Sequence, residues 1–113
     1  MIGKRELINM LVDEHYQKNV GYFVGEFEDE SGQRARYPLG TLFFVVESLY
    51  PSPGFAEYAI TCRHLLEVVN SHPGFRNLFI RVNGRQGKYQ DIPSNSKDWV
   101  VTADTDVAAV KFN

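Results

Sequence analysis

The sequence predicts a mainly β fold of short strands, a small closed barrel or sandwich with a short helix ahead of it. From Val20 onward, runs rich in Val, Phe, Tyr, Ile and Thr alternate with clusters of Gly, Pro, Ser, Asn and Asp, the residues of strands and of turns. Six such runs fit in the 113 residues. A small open sheet would expose strand edges, so this pattern favours closure or face-to-face packing over a layered α/β sheet.

In the opening segment Leu7, Ile8, Leu11 and Val12 recur at three-to-four-residue spacing among Lys4, Arg5, Glu6, Asp13 and Glu14. That is the stripe of a short amphipathic helix over about residues 4–15, expected to pack as a lid on the strands. The strand runs are Val20 to Glu28, Leu39 to Glu47, Glu57 to Thr61, Asn77 to Val82, Lys88 to Ile92 and Asp106 to Phe112. Glu30 to Gln33 forms a polar turn, Pro51 to Gly54 cannot continue a strand, and Asn83 to Gly87 suits a hairpin loop. His64 to Asn70, with Leu65, Leu66, Val68 and Val69, reads as two short helical turns ending near the breakers Pro73 and Gly74. Repeats and linkers are missing from the pattern, so residues 1–113 are read as one domain, with the barrel over about 20–112.

Composition narrows the function classes. Twelve Lys and Arg against fourteen Asp and Glu give a net charge of −2, which provides no overall attraction for nucleic acid or anionic lipid. Charges interrupt every short apolar run at the N-terminus, which excludes a signal-peptide core of about 7 to 15 apolar residues and a membrane span of about 20. A single cysteine, Cys62, leaves no internal disulfide, so packing alone must hold the fold. A reducing, cytoplasmic setting is the expectation.

Few side chains exchange protons near neutral pH, and histidine is the foremost. His15 and His72 lie at a helix end and in a Ser-His-Pro-Gly loop and read as solvated residues. His64 directly follows the strand Tyr58-Ala59-Ile60-Thr61 and opens a helical turn, so its ring stands at the rim of a rigid element, where catalytic groups favour sitting. A histidine used as a base needs a carboxylate to fix its tautomer, and Asp106 opens the last apolar strand; Asp104, two residues earlier on the same face, is the substitute candidate. The bland alternative is a structural histidine at a strand end. Cys62 reads as a small buried apolar residue. Among Cys62, His64 and His72 no pair has a usual zinc spacing, so neither metal nor cofactor is expected. Arg76, Arg81, Arg85 and Lys88 interleave with Phe75, Phe79 and Tyr89, a pattern that an oligonucleotide-binding barrel would share, but aromatics inside and charges outside explain it. Trp99 is expected to cover one end of the barrel.

Three segments, Gly40-Thr41-Leu42-Phe43-Phe44-Val45, Tyr58-Ala59-Ile60-Thr61-Cys62-Arg63-His64 and Asp106-Val107-Ala108-Ala109-Val110, resemble the trypsin-like (chymotrypsin-fold) serine peptidases. That family has a Gly-x-x-Phe-x-Val strand, a Thr-x-x-His motif and an Asp before an apolar strand, in this order. The 42 residues between His64 and Asp106 are comparable with the family's spacing. The resemblance covers about Val20 to Phe112. It implies a six-stranded antiparallel Greek-key barrel forming the N-terminal half of a double barrel, with His64 as general base and Asp106 as its orienting partner.

The sequence departs from the family in one decisive respect. The nucleophile belongs in a Gly-x-Ser-Gly context, whose backbone N–H groups form the oxyanion hole, and these 113 residues contain none. Ser94 and Ser96 precede Asp106 in a polar loop and read as turn residues, and Cys62 and Arg63 replace the family's small residues before the histidine. The first expectation is therefore half of a serine endopeptidase, inactive alone, whose partners are the missing C-terminal barrel and a peptide substrate. An exposed face left for that barrel would promote self-association or strand exchange. The alternative is a complete non-catalytic barrel serving as a binding module, with no nucleic-acid or membrane partner in either case.

Overall fold

A computed structural model describes residues 20–84 and 87–112. The expected helix over residues 4–15, with His15, lies outside these residues, as does Arg85. The described chain is mainly β. It runs through β1 (Val20–Glu28), β2 (Arg34–Ser48), β3 (Phe55–Thr61), α1 (Arg63–Ser71), β4 (Phe75–Asn83), β5 (Tyr89–Ser94), a 3-10 turn (Ser96–Asp98), β6 (Val100–Val101) and β7 (Ala108–Lys111).

All seven strands join one antiparallel sheet in the order β5-β4-β1-β2-β3-β7-β6. The β1–β2 hairpin is longer than the apolar runs suggest because charges continue it: Glu26 lies opposite Arg36 and Glu28 opposite Arg34, and both pairs are bridged. Opposite charges facing each other across a ladder support it much as apolar pairs do. Pro38, which cannot donate to a ladder, sits where the register slips by one residue between Phe23 and Val24, at a bulge that tolerates it.

The sheet curls around a core of Phe23, Leu42, Phe44, Ala59, Leu78, Ile80, Trp99 and Val110, with Leu66 and Val69 of α1 on top. Alternation along each strand supplies one side chain in two to this interior, so β1, β2, β3, β4 and β7 all contribute from their inward faces. Trp99 is only 6% exposed, meets Phe23 edge to face at 5.7 Å, and donates its indole N–H to Ser94 Oγ at 3.0 Å.

A closed six-stranded barrel is not what the chain forms. The sheet is open, with β5 and β6 as its edges, and it has a seventh strand. Between those edges the chain makes the 3-10 turn and then places Trp99, whose indole N–H reaches back to Ser94 at the end of β5. The last strand begins at Ala108 rather than Asp106. The carbonyl and the carboxylate of Asp106 are both occupied at the start of α1, which takes that residue out of the pairing pattern. Ser94 closes β5 rather than lying in a turn.

Candidate functional site

The end of β3 and the start of α1 are fixed before His64 is reached. Thr61, buried at the last position of β3, donates its hydroxyl to the Thr41 carbonyl at 2.9 Å and ties the strand end to β2. Leu65 then settles against β2 over Gly40, where a Cβ would lie 2.5 Å from Leu65 Cδ1. The bare α-carbon at Gly40 is thus what lets the helix begin this close to the sheet. With Leu66 and Val69 buried on one face of α1, His64 is turned outward to the rim, its side chain 58% exposed.

Asp106 grips this histidine twice. Its Oδ2 lies 2.6 Å from His64 Nδ1, and its Oδ1 accepts the His64 backbone N–H at 2.9 Å. The Asp106 backbone carbonyl accepts from Arg63 N at 3.3 Å. Asp106 is therefore the partner of the ring, and the substitute Asp104 is not needed. A carboxylate can only accept, so the ring donates through Nδ1, and the neutral form of that tautomer carries its lone pair on Nε2. The ring hydrogen bond first, and the backbone one after it, hold the Asp106 carboxyl below its ordinary range.

Arg63 stands out in the sequence only as a departure from the family pattern, yet it fastens the approach to Asp106. Its Nη1 donates to the carbonyls of Thr102 at 2.6 Å and Ala103 at 3.2 Å. Its Nε faces Glu67 Oε1 at 3.2 Å without the alignment of a hydrogen bond. The Thr102 and Thr105 hydroxyls bond to one another within the same loop. Nothing local in the sequence marks Arg63, because its partners are backbone carbonyls some 39 and 40 residues away.

Cys62 requires a correction. It is exposed, not a buried apolar residue, because it stands between the last inward-facing residue of β3 and α1, as the N-cap with no side-chain cap bond. Its sulfur, a ring nitrogen of His64 and a carboxylate oxygen of Asp106 all lie within 4.8 Å of one another. His72, the other residue weighed with Cys62 and His64 as a ligand set, is at the far end of α1, edge to face with Phe27 at 4.8 Å. There it helps line a groove of about 750 Å³ with Phe27, Ala35, Tyr37, Leu39 and Val68.

A second cluster of charge lies on β2, β4 and β5. Asp91 receives Arg81 Nε at 2.7 Å, Arg81 Nη2 at 3.0 Å and Arg36 Nη1 at 3.1 Å. Arg36 lies over the Phe79 ring at 3.9 Å and Arg81 over Tyr89 at 4.0 Å. Arg81, and after it the opposing cost of burial and then Arg36, set a net lowering of the Asp91 carboxyl. Arg76 is bound by Glu28 at 3.2 Å. Of the interleaved residues of the sequence, Arg76 and Arg81 are thus engaged with acidic partners, and Phe79 and Tyr89 lie under guanidinium groups.

Comparisons of the chain with protein-family models, with curated proteins and with solved structures found no match. No helix among the described residues is long and apolar enough to cross a membrane.

Proposed function

We propose that this chain is the N-terminal half of a trypsin-like serine endopeptidase, providing His64 as general base and Asp106 as its orienting acid. The observation that carries the reading is the double grip of Asp106, with one oxygen on the ring Nδ1 at 2.6 Å and the other on the His64 backbone N–H at 2.9 Å. A structural histidine needs one satisfied nitrogen. A base needs its tautomer fixed and its ring aimed, and two bonds from one carboxylate do both.

The strand order adds support for the finer fold reading. Its run β5-β4-β1-β2-β3-β7 supplies six antiparallel strands of the number such a barrel uses, with β6 an added short strand at the edge of an open sheet. Val100, Val101 and Val107, exposed just before and after the Thr102–Asp106 loop, offer an apolar surface for a second half.

In this reading the second half brings the serine and the oxyanion hole. His64 Nε2 takes the hydroxyl proton as the serine oxygen attacks the peptide carbonyl, then returns it to the leaving amine. Asp106 remains ionised throughout and stabilises the imidazolium. Its depressed proton affinity suits that role, because an acid that stays charged cannot take the proton from the ring.

The test is to isolate the gene product from its source, determine its intact mass and treat it with a fluorophosphonate probe for activated serines. A mass of about twice 12.9 kDa and labelling lost in His64→Ala is the expected result. A product of this chain's mass that hydrolyses nothing overturns it. A binding module, for which the apolar groove beside His72 is the favouring observation, then takes its place, and His64→Ala leaves its function intact.

A further inference from the structure

We propose that Cys62, His64 and Asp106 form a binding site for Zn²⁺ or another thiophilic divalent cation, an inference beyond the peptidase reading and independent of it. Three residue types with metal-ligating atoms converge here, one each of sulfur, nitrogen and oxygen, all within 4.8 Å of one another. Ligands of a tetrahedral zinc ion lie roughly 3.5 Å apart, as bonds of about 2.0 to 2.3 Å require, so binding draws the Cys62 sulfur closer by side-chain rotation and replaces the 2.6 Å hydrogen bond between His64 Nδ1 and Asp106 Oδ2 by a bond from each to the ion.

The surroundings permit that rotation. All three residues are exposed, and the Cys62 sulfur makes no capping bond to α1, so no packing or helix contact is lost when it turns. Cys62 lies two residues before His64 on a backbone held by Thr61 and by the Arg63 contact to Asp106, while Asp106 is brought from 42 residues away by its bonds to His64. The scaffold therefore presents the donors from fixed positions and leaves only their tips to adjust.

The donor set also selects the ion. Thiolate, imidazole and carboxylate together suit a borderline-soft cation, and hard Mg²⁺ and Ca²⁺ prefer all-oxygen sites. Three protein ligands leave a fourth position for water, and the exposure of the cluster keeps that position open. On binding, Cys62 releases its thiol proton to solvent and gives a sulfur lone pair to the metal, with no change of oxidation state. His64 ligates through Nδ1, whose proton is released to solvent while Nε2 takes one up, so the neutral ring gives its Nδ1 lone pair to the ion and has no lone pair left to accept a proton. In a peptidase, the cation would act as a reversible brake on the base.

Titration of the intact chain with Zn²⁺, followed by Co²⁺ as a spectroscopic probe, tests the site without any substrate. The expected result is one-to-one binding and a near-ultraviolet thiolate-to-cobalt band. Cys62→Ser removes that band and weakens Zn²⁺ binding by roughly tenfold or more, the scale on which even the outer partners of metal ligands act. Asp106→Asn weakens binding as well, and Mg²⁺ does not compete. Circular dichroism of each variant separates lost binding from lost folding. Binding that survives Cys62→Ser unchanged, a cobalt spectrum lacking the thiolate band, or no binding by the folded chain overturns the proposal. A negative result in the serine-probe experiment leaves all of these outcomes unaffected, so the two readings fail separately.

Discussion

Asp91 and Asp106 are both carboxylates held below their ordinary range by hydrogen bonds, yet their surroundings fit them for different work. Asp91 has a side chain only 5% exposed, is held by two guanidinium groups, and lies beside arginines stacked on Phe79 and Tyr89. Its partners stay charged at every physiological pH, so nothing in that cluster exchanges a proton. Asp106 is half exposed, and its partner is an imidazole, a group whose chemistry includes acid and base roles that a guanidinium lacks. A lowered carboxylate thus marks an ion pair of either kind, and the chemistry of the partner and its access to solvent separate structure from a candidate site.

The largest effect that would sharpen this contrast is catalytic. If the gene product carries both halves, as proposed, Asp106→Asn is expected to lower peptide hydrolysis by about 10⁴-fold, because an amide in that place favours the wrong ring tautomer. The corresponding Asp91→Asn change should leave turnover per folded molecule close to wild type, read as kcat under conditions where both variants are folded. A large kcat loss in Asp91→Asn alone would reverse the assignment.

Stability should divide the pair in the opposite sense. Asp91→Ala leaves Arg81 and Arg36 facing a buried gap and is expected to cost about 2 kcal/mol in urea unfolding, since removing one partner of a largely buried ion pair strands the other. Asp106→Asn, at an exposed site, should shift the midpoint far less. Equal midpoints for the two variants would break the comparison.

The pH dependence rests on the same groups. Asp91, Glu26 and Asp106 have folded-state proton affinities below those of the unfolded chain. The unfolded state therefore binds protons first as pH falls, and the stabilisation is complete above the ordinary carboxylate range of about pH 4 and lost on descent through the lower folded values. Urea midpoints should hold steady from neutrality to about pH 5 and drop below about pH 4, with a shallower drop in Asp91→Asn. The smallest effect is expected at Asp104, where Asn should change neither stability nor hydrolysis, as the carboxylate on the ring belongs to Asp106. A loss of hydrolysis there would reopen the choice between the two.

Much of the framework is legible where apolar alternation runs unbroken. Val20–Glu28 has the same limits in sequence and structure, and α1 differs from the expected turns by one residue at each end. Arg34–Tyr37 escapes a search for apolar strands, because this segment is held by charges opposite Glu26 and Glu28. Glu-x-Glu, a five-residue turn and Arg-x-Arg are the available signal. Closure is not legible, because it depends on whether the edge strands β5 and β6 meet, a relation between distant edges that no local pattern encodes. At the site, residue type and chain order point to His64 and Asp106. The exposure of Cys62 and the carbonyl contacts of Arg63 depend on how β3 meets α1, and only the folded chain displays them.

Nitrogen-15 NMR of the His64 ring in this chain tests most directly whether Asp106 prepares it as a base. The prediction is a neutral ring protonated at Nδ1, with that proton resonating far downfield, and a switch of tautomer in Asp106→Asn but not in Asp91→Asn. A ring protonated at Nε2, or one indifferent to Asp106→Asn, would contradict it.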